Sequence, residues 1–319
     1  MRTFTEAPRL TAFTRRHLGA EPVEVTRLRG GTKKGAYRLT LPDGRTVVLY
    51  LWSPAENHWP APAGGAPVLF GEASGPELFR SAHAALSGAG VRTVEILAFD
   101  ASRTLLDGEA ALVEDVAGGT LEALIARDPA AAEPVLDRLA DSLRRMHATR
   151  SPAFGRVSAP FTAAPTAVGA ITAAAHRDLA EAAARRPELR PVRDALAARL
   201  DELARAVPPR GGYTLVHGEL GPDHVLIADG GEPVIIDIEG LMFLDAEWEH
   251  AFLEIRFGDR ADRLRVPGLD PARLALYRTA HELSLVAGPL RLLDGDFPDR
   301  EFMLGIVRHH VGKLVGGIP

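Results

Sequence analysis

Carboxylates and an imidazole are concentrated in two short segments of this chain. The first is Leu215–Ile227, with the sequence LVHGELGPDHVLI, and the second is Val234–Gly240, with the sequence VIIDIEG. Oxygen ligands and an imidazole that meet at strand ends can hold a hard divalent cation and a general base. The alternative interpretation is a solvated loop whose acids have no function. The presence of a second acidic segment makes this alternative less favoured. The candidate residues are Glu219, Asp223, His224, Asp237 and Glu239.

Lysine is rare in this chain, because arginine supplies almost all of its 37 Lys and Arg residues. Two of the three lysines, Lys33 and Lys34, are adjacent in the glycine-rich segment Arg29–Gly35. The pair indicates either a cation site or chance, since one short motif match has a high false-positive rate. Trp59 is expected either to cover a ligand or to anchor a loop.

The elements that must position these residues fall into two groups. Residues 1–115 predict a small β-rich lobe with a hairpin, a Pro- and Gly-rich loop, one helix and two further strands. Its expected elements are the strands Val23–Leu28, Tyr37–Leu41, Val47–Trp52, Val94–Phe99 and Glu109–Val113, the loop Ser53–Gly71 and the helix Pro76–Ser87.

Residues 116–319 predict a larger helical lobe that contains the two acidic segments, so the expected fold class is α+β. Three short strands, Tyr213–Val216, Val225–Ile227 and Val234–Ile238, are expected to frame those segments. The expected helices are Thr120–Arg127, Glu133–His147, Ala167–Ala184, Val192–Val207, Ala246–Phe257, Pro271–Val286 and Asp299–Val315.

Composition excludes several classes of protein. The 319 residues carry a formal charge of −5 and 46% apolar residues, which is ordinary for a globular protein and lacks the basic excess of a nucleic-acid binder. No apolar run approaches the ~18 residues that span a bilayer, and no secretory signal is recognised, so no membrane partner and a cytoplasmic location are expected. The absence of cysteine excludes disulfides and thiolate chemistry.

The ordered motifs of the chain resemble those of the aminoglycoside phosphotransferase and choline kinase superfamily. They cover about residues 25 to 260. His217–Glu219 followed by His224 is similar to the family's HGD followed by Asn, and Ile236–Gly240 is similar to its metal-binding IDxE segment. The remaining matches are Ala140–His147 with the LLxxLH helix, Val113–Val116 with the hinge, and Asp245 and Glu249 with the acids of GDPxxDLA.

The resemblance implies a protein-kinase-like two-lobed fold and transfer of phosphate from ATP or GTP, with Mg²⁺, to a hydroxyl of a small molecule. It assigns catalysis to Glu219 and Asp237, and metal binding to Asp237, His224 and Glu239. The residues that it implies for nucleotide binding are Gly30, Gly31, Thr32, Lys33, Lys34, Tyr50, Glu114 and Val116.

Three positions depart from the family pattern. Glu219 stands where the family has a catalytic Asp, and His224 stands where it has a metal-holding Asn, although an imidazole is a poor ligand for Mg²⁺. Tyr50 lies near the position of the phosphate-gripping Lys or Arg of the third strand, which leaves the role of Glu77, the expected partner of such a cation, open.

Two accounts of these departures compete. In the first, phosphoryl transfer survives because Lys33 or Lys34 supplies the missing charge, and Asp223 or Glu239 supplies the missing oxygen ligand. In the second, the protein is a pseudokinase-like module that binds a nucleotide or small molecule without transfer. The acids Glu219, Asp237 and Glu239 favour the first account, because a passive binder has no need of all three.

The acceptor is expected to be cationic or polyhydroxylated, such as an aminoglycoside, another antibiotic or an amino alcohol. This expectation follows from the acids that crowd the segment after Asp237, since the family binds cationic acceptors through acids of its helical lobe. The expected acceptor-binding residues are Asp223, Asp245 and Glu247. A role in antibiotic resistance is one of the two expected settings, and ordinary metabolism is the other.

Overall fold

A computed structural model of the protein describes residues 4–60, 74–160 and 166–317. Its N-terminal part contains an antiparallel five-stranded sheet of order β1-β2-β3-β5-β4. The strands are β1 (Glu24–Arg27), β2 (Gly35–Thr40), β3 (Thr46–Trp52), β4 (Ile96–Asp100) and β5 (Glu109–Glu114), and the helices are α1 (Ala7–Leu18) and α2 (Pro76–Gly88). The predicted strands and helix of this part are present. Residues 61–71 of the predicted loop Ser53–Gly71 lie outside the described residues.

Strand β3 is buried on both faces because a helix covers each of them. Its odd-numbered residues from Val47 to Leu51 pack in one apolar cluster with α1. Its even-numbered residues from Val48 to Trp52 pack in a second cluster with α2. Successive side chains of a strand point to opposite faces, so a continuous apolar run is the expected sequence of a strand that is covered twice.

Helix α1 is absent from the elements that the sequence pattern predicts. Leu10, Phe13 and Thr14 are its buried residues, and Leu10 and Phe13 pack in the apolar cluster that contains one face of β3. Two local signals mark it nevertheless. Pro8 lies in its first turn, and Gly19 ends it in the left-handed conformation at φ 72°.

The C-terminal part is mainly helical, as the sequence predicts. Within it, α5, α6, α9 and α10 share one apolar core, whereas α4 packs into the cluster that also contains α2. No helix of the described residues is long and apolar enough to cross a membrane. The helices are α3 (Leu121–Arg127), α4 (Pro129–Ala148), α5 (Ala167–Arg185), α6 (Arg193–Ala206), α7 (Ala246–Phe257), α8 (Ala261–Leu264), α9 (Pro271–Leu292) and α10 (Arg300–Gly316).

Short strands in this part deliver the two acidic segments. A second sheet has the order β6-β9-β12-β7-β8, and β10 pairs with β11 in a separate hairpin. These strands are β6 (Arg150–Ser151), β7 (Gly155–Arg156), β8 (Ala159–Pro160), β9 (Tyr213–Val216), β10 (Val225–Ile227), β11 (Pro233–Ile235) and β12 (Met242–Leu244).

The end of strand β11 differs from the prediction. The sequence predicts a strand to Ile238, but β11 ends at Ile235 and a short 3₁₀ turn follows at Ile238–Gly240. Asp237 lies between them in the left-handed conformation, with φ 59° and ψ 44°. That conformation cannot continue a strand, and Asp is one of the few residues other than glycine that adopt it.

Candidate functional site

The loop after β9 is held in place by a buried histidine. His217 Nε2 donates to the carbonyl oxygen of Ile236 at 2.9 Å, and His217 Nδ1 accepts a hydrogen bond from the backbone N–H of Glu219 at 3.4 Å. Burial lowers the pKa of His217 to about 4, so the ring is neutral at pH 7. His217 therefore ties the loop of Glu219 to the segment of Asp237 and acts as a scaffold.

A buried carboxylate of α7 holds the same loop from the other side. Glu249 Oε2 accepts hydrogen bonds from the backbone N–H groups of His217 and Gly218. Gly218 has φ 91°, a conformation in which a side chain would be strained. Burial raises the pKa of Glu249 to about 7. Glu249 thus fixes the backbone that presents Glu219.

The Glu219 side chain is exposed, whereas the backbone N–H and the backbone carbonyl of Glu219 are both hydrogen-bonded. Its carbonyl oxygen accepts a hydrogen bond from His224 Nδ1 at 2.9 Å, in addition to the N–H bond to His217. Within the described residues its carboxylate has no hydrogen-bond or ion-pair partner. A carboxylate that is exposed on a fixed backbone is suited to accept a proton from a bound hydroxyl.

Asp237 lies at the centre of the candidate site. Its Oδ1 is 2.7 Å from Lys34 Nζ, and its Oδ2 is 3.8 Å from His224 Nε2. The Lys34 ammonium holds the pKa of Asp237 well below its usual range, against the opposing effect of burial. Asp237 is therefore ionised at neutral pH, and half of its side chain is exposed.

Lys34 reaches the acidic segment from the glycine-rich loop. Its Nζ is 2.7 Å from both Asp237 Oδ1 and Glu239 Oε1, and it lies 5.3 Å from the centre of the Tyr50 ring. Burial opposes a charged ammonium, but the two carboxylates more than offset it and raise the pKa of Lys34. Trp52 Nε1 donates to Glu239 Oε1 at 3.2 Å and so holds the second carboxylate.

The carboxylate that pairs with Lys34 is Glu239 and not Glu77, the partner that the sequence analysis considers for a phosphate-binding cation. Glu77 is exposed, and its carboxylate accepts a hydrogen bond from Ser81 rather than from a lysine. Glu239, 4% exposed, is the buried partner of Lys34, and its Oε2 has no hydrogen-bond partner among the described residues. The sequence carries one signal for this pairing: a lone lysine pair in the N-terminal part and no lysine on β3.

The glycine-rich loop is closed tightly and is anchored by Trp59. A Cβ atom at Gly31 would lie 2.5 Å from the carbonyl oxygen of Lys34, so the turn admits only glycine there. Trp59 Nε1 donates to Thr32 Oγ1 at 3.0 Å, and the Trp59 ring lies 5.2 Å from Lys33 Nζ. Gly30 has φ 102°. The structure thus places Lys33 against Trp59 and Lys34 at the acidic site.

The hinge after β5 is fixed by ion pairs. Glu114 Oε1 is 2.6 Å from Arg92 Nη2, and Arg38 donates two hydrogen bonds to Asp115, at 2.7 and 2.9 Å. Val116 is buried in the cluster that joins α2 to the C-terminal part. The side chains of the hinge are therefore occupied by contacts within the protein. The backbone of the hinge is the part that could contact a nucleotide base.

Asp223 belongs to the same cluster, but one of its carboxylate oxygens is already hydrogen-bonded to an arginine. Asp223 Oδ1 accepts a hydrogen bond from Arg256 Nη2 at 2.7 Å, and Asp223 Oδ2 is 3.7 Å from His224 Nε2. Gly221 makes room for this pair, since a Cβ atom there would lie 2.8 Å from the Arg256 guanidinium carbon. Arg256 belongs to no motif, so the sequence does not mark it as a residue of this cluster.

Asp245 and Glu247 are not brought to this cluster. Both side chains are fully buried, and Arg210 forms two 2.7 Å hydrogen bonds with Glu247. Arg273 Nη1 donates to Asp245 Oδ2 at 2.8 Å, and the Tyr277 hydroxyl also donates to it. The two carboxylates are neutralised inside the helical part, where they join α7 to α9.

The donor set is compatible with a metal that a nucleotide helps to hold. Among the described residues no three His, Asp or Glu side chains are arranged to hold an ion by themselves. Mg²⁺ and similar ions are usually bound through one or two carboxylates together with substrate phosphates. His224 Nε2 forms ion pairs with Asp237 Oδ2 at 3.8 Å and with Asp223 Oδ2 at 3.7 Å, so Asp237 is the carboxylate best placed to share a metal with a nucleotide.

The sequence model of the phosphotransferase enzyme family (APH) matches residues 24–283 of the chain. No curated protein sequence matches it. Among solved structures, the fold is similar to that of spectinomycin phosphotransferase, APH(9)-Ia, in complex with ADP and spectinomycin. That pair has a TM-score of 0.67 and 14% identity, and covers 98% of each chain.

Two further similar structures are of aminoglycoside phosphotransferase APH(4)-Ia. A thermostable mutant in its apo form has a TM-score of 0.63 and 20% identity, with 95% of this chain and 98% of that chain covered. A ternary complex with ADP and hygromycin B has a TM-score of 0.60 and 18% identity, with the same coverage. At these identities the likeness concerns the fold, which is the kinase-like two-lobed arrangement.

Proposed function

The chain belongs to the phosphotransferase enzyme family and is a small-molecule kinase, and we propose that it transfers the γ-phosphoryl group of ATP or GTP to a hydroxyl of a small molecule. The observation that carries the proposal is the convergence of Lys34, Asp237 and His224 beside the exposed Glu219. These groups supply a cation, a metal-binding carboxylate and a base. The ADP in the similar structures supports a nucleotide as the donor.

Each residue has a defined task in this proposal. Asp237 would hold the metal, with the nucleotide phosphates completing the ligand set, and a bound divalent ion would neutralise charge on the phosphoryl group. Lys34 would contact the phosphates while Glu239 keeps its ammonium in place. Glu219 would take the proton of the acceptor hydroxyl. The backbone from Glu114 to Val116 would contact the adenine or guanine base.

The distribution of charge favours a polyhydroxylated acceptor over a strongly cationic one. Asp245 and Glu247 are neutralised by arginines inside the helical part, and Asp223 shares a hydrogen bond with Arg256. Glu254 forms ion pairs with both Arg265 and Arg278, so its negative charge is largely neutralised as well. In this proposal Asp245 and Glu247 keep a structural role. Similar folds have been solved in complex with spectinomycin and with hygromycin B, which supports a small-molecule acceptor.

We expect calorimetry to detect binding of ATP or GTP in the presence of a divalent cation, and a phosphate-transfer assay to detect turnover with at least one polyhydroxylated acceptor. The acceptor panel should include aminoglycosides, nucleoside antibiotics, amino alcohols and neutral sugars. No heat with either nucleotide at millimolar concentration would contradict the proposal. Nucleotide binding without transfer to any acceptor would favour the pseudokinase-like alternative.

Lys34→Ala is expected to weaken nucleotide affinity by about tenfold to a hundredfold, because hydrogen bonds to charged groups contribute ~1.5–3 kcal/mol. Turnover should fall as well, since the same cation stabilises the transferring phosphoryl group. Lys33→Ala should cause a smaller loss, because Lys33 lies against Trp59. Calorimetry and steady-state kinetics measure both effects.

Lys313→Ala is the matched control, because Lys313 is exposed on α10 and lies outside the proposed site. It should leave affinity and turnover within about twofold of the wild type, as most exposed substitutions away from special features do. Equal results for the three lysine variants would remove Lys34 from the proposed machinery and direct the search to an arginine.

A further inference from the structure

A pocket lies between α3 and the end of α7, next to the loop that carries the candidate base. Its volume is about 260 Å³, which gives room for a small organic group and not only for a single water molecule. Three apolar and three charged side chains form most of its lining. They are Ile125, Pro222, Phe257, Glu122, Arg256 and Arg260. We call it the arginine pocket.

Direct contacts join the arginine pocket to the candidate site. Arg256 donates to Asp223 Oδ1 at 2.7 Å, and Asp223 Oδ2 forms an ion pair with His224 Nε2 at 3.7 Å. Pro222 follows Glu219 by three residues, so their Cα atoms are at most about 11 Å apart. A small acceptor can therefore place one group in the arginine pocket while a hydroxyl of the same molecule lies beside Glu219.

The two arginines of the pocket differ in what they already bind. Arg256 is held by Asp223, and its guanidinium carbon lies 5.9 Å from the centre of the Phe252 ring. The Arg260 side chain forms no ion pair or hydrogen bond with any residue that the structure describes, and its Nε–H is buried. A buried donor without a partner is unfavourable, more so when it is charged. The pocket thus contains a cation whose hydrogen bonds are unused.

The turn after α7 fixes the position of Arg260. Gly258 has φ 54° and ψ −130°, a conformation that glycine adopts and that other residues avoid. A 3₁₀ turn at Gly258–Arg260 follows and leads directly into α8. Phe257 and Ala261, on the two sides of this turn, are buried in the apolar cluster that contains α2 and α4. The guanidinium of Arg260 is therefore supported by a fixed backbone, which lowers the cost of ordering it around a ligand.

An arginine with unused N–H groups is suited to bind an anionic group. Its planar guanidinium can donate two parallel hydrogen bonds to a carboxylate or a phosphate. The apolar side chains of the pocket limit the access of water, which strengthens such a contact. We propose that the acceptor is a hydroxylated organic anion, and that Arg260 binds its carboxylate or phosphate group. The inference rests on the proposed function and narrows the class of its acceptor.

Glu122 is the one feature of the lining that opposes an anion. Its side chain is exposed, so water and salt screen its charge, whereas the Nε–H of Arg260 is buried. No ion pair joins Glu122 to either arginine of the pocket within the described ranges. Arg260 therefore dominates the pocket, and the two residues should affect anion binding in opposite directions.

The test uses four probes that share one sugar ring and differ in charge: glucose, glucosamine, glucuronate and glucose 6-phosphate. Saturation-transfer NMR titrations, with ADP and a divalent cation present, measure their affinities. In the wild type at least one of the two anions should bind about tenfold or more tightly than glucose and glucosamine, as expected for a hydrogen bond to a charged group. The tighter anion identifies the group as a carboxylate or a phosphate.

Three variants assign the preference to the arginine pocket. Arg260→Gln should bring the four affinities within about threefold of one another, and Glu122→Gln should strengthen the binding of the anions. Arg199→Gln is the matched control, because Arg199 is exposed on α6, and it should keep the wild-type preference. Melting curves confirm that each variant is folded, and none of these measurements depends on turnover.

The outcomes separate this inference from the proposed function. Equal affinity for the four probes, or an anion preference that survives in Arg260→Gln, would overturn the inference. Phosphate transfer to neutral or cationic acceptors and to no anionic one would also overturn it and leave the phosphotransferase proposal intact. An anion preference that depends on Arg260, in a protein that binds neither ADP nor ATP, would support the arginine pocket and contradict the proposed function.

Discussion

Glu219→Gln is expected to lower phosphate transfer by about 10²–10⁴-fold, because that is the contribution of a well-placed general base. The amide keeps nearly the same shape but cannot accept the proton of the acceptor hydroxyl. Nucleotide affinity should remain within about twofold, because the Glu219 side chain has no partner among the described residues and the hydrogen bonds that fix this position come from its backbone. Steady-state kinetics and calorimetry on the same preparations separate the two effects.

Glu219→Asp is the informative control, because it keeps a carboxylate and shortens the side chain by one methylene. It should keep much more activity than Glu219→Gln, since a flexible exposed carboxylate can still approach the hydroxyl through a small shift of the acceptor. If Glu219→Gln retains full turnover, the base lies elsewhere. If both variants lose nucleotide affinity together with turnover, Glu219 acts in nucleotide binding and its assignment as the base is wrong.

Most of the fold could be predicted from the sequence, because the signals of its elements are local. The continuous apolar run of β3 predicts a strand covered on both faces, and α1 and α2 provide those covers. Short elements were harder to predict. Strand β12 has three residues, and a pattern of that length does not distinguish a strand from a turn.

The candidate site was predictable in its residues but not in its pairings. Motif spacing pointed to Asp237 and Glu239, and the rarity of lysine pointed to Lys33 or Lys34. Neither signal could show that the ammonium of Lys34 lies between carboxylates about 200 positions later. Such a contact is set by how the sheet is placed over the helical part. For the same reason the sequence could not show that Asp245 and Glu247 are buried against arginines. The sequence shows which residues are charged, but it does not show which of them form ion pairs within the fold.

The structure also changes how Asp237 can be tested. Asn tolerates the left-handed conformation that Asp237 adopts, so Asp237→Asn should preserve the backbone at this turn. Its ion pair with Lys34 is half exposed on the Asp237 side, and Lys34 keeps Glu239 as a second partner. Partly exposed pairs of this kind contribute about 1 kcal/mol or less. The melting temperature without ligands should therefore fall by only a few degrees.

Asp237→Asn should nevertheless abolish most of the metal-dependent nucleotide binding, and turnover should fall on the order of 10³-fold, as when other charge-neutralising groups of phosphoryl transfer are lost. An amide oxygen carries no net charge and binds a divalent ion much more weakly than a carboxylate does. Asp229→Asn, the same change in the exposed turn between β10 and β11, is the control and should behave as the wild type. The measurement is the increase in melting temperature when ADP and a divalent cation are added together. An unchanged increase in Asp237→Asn would show that Asp237 is not the principal metal ligand, and the assignment would pass to Asp223 or Glu239.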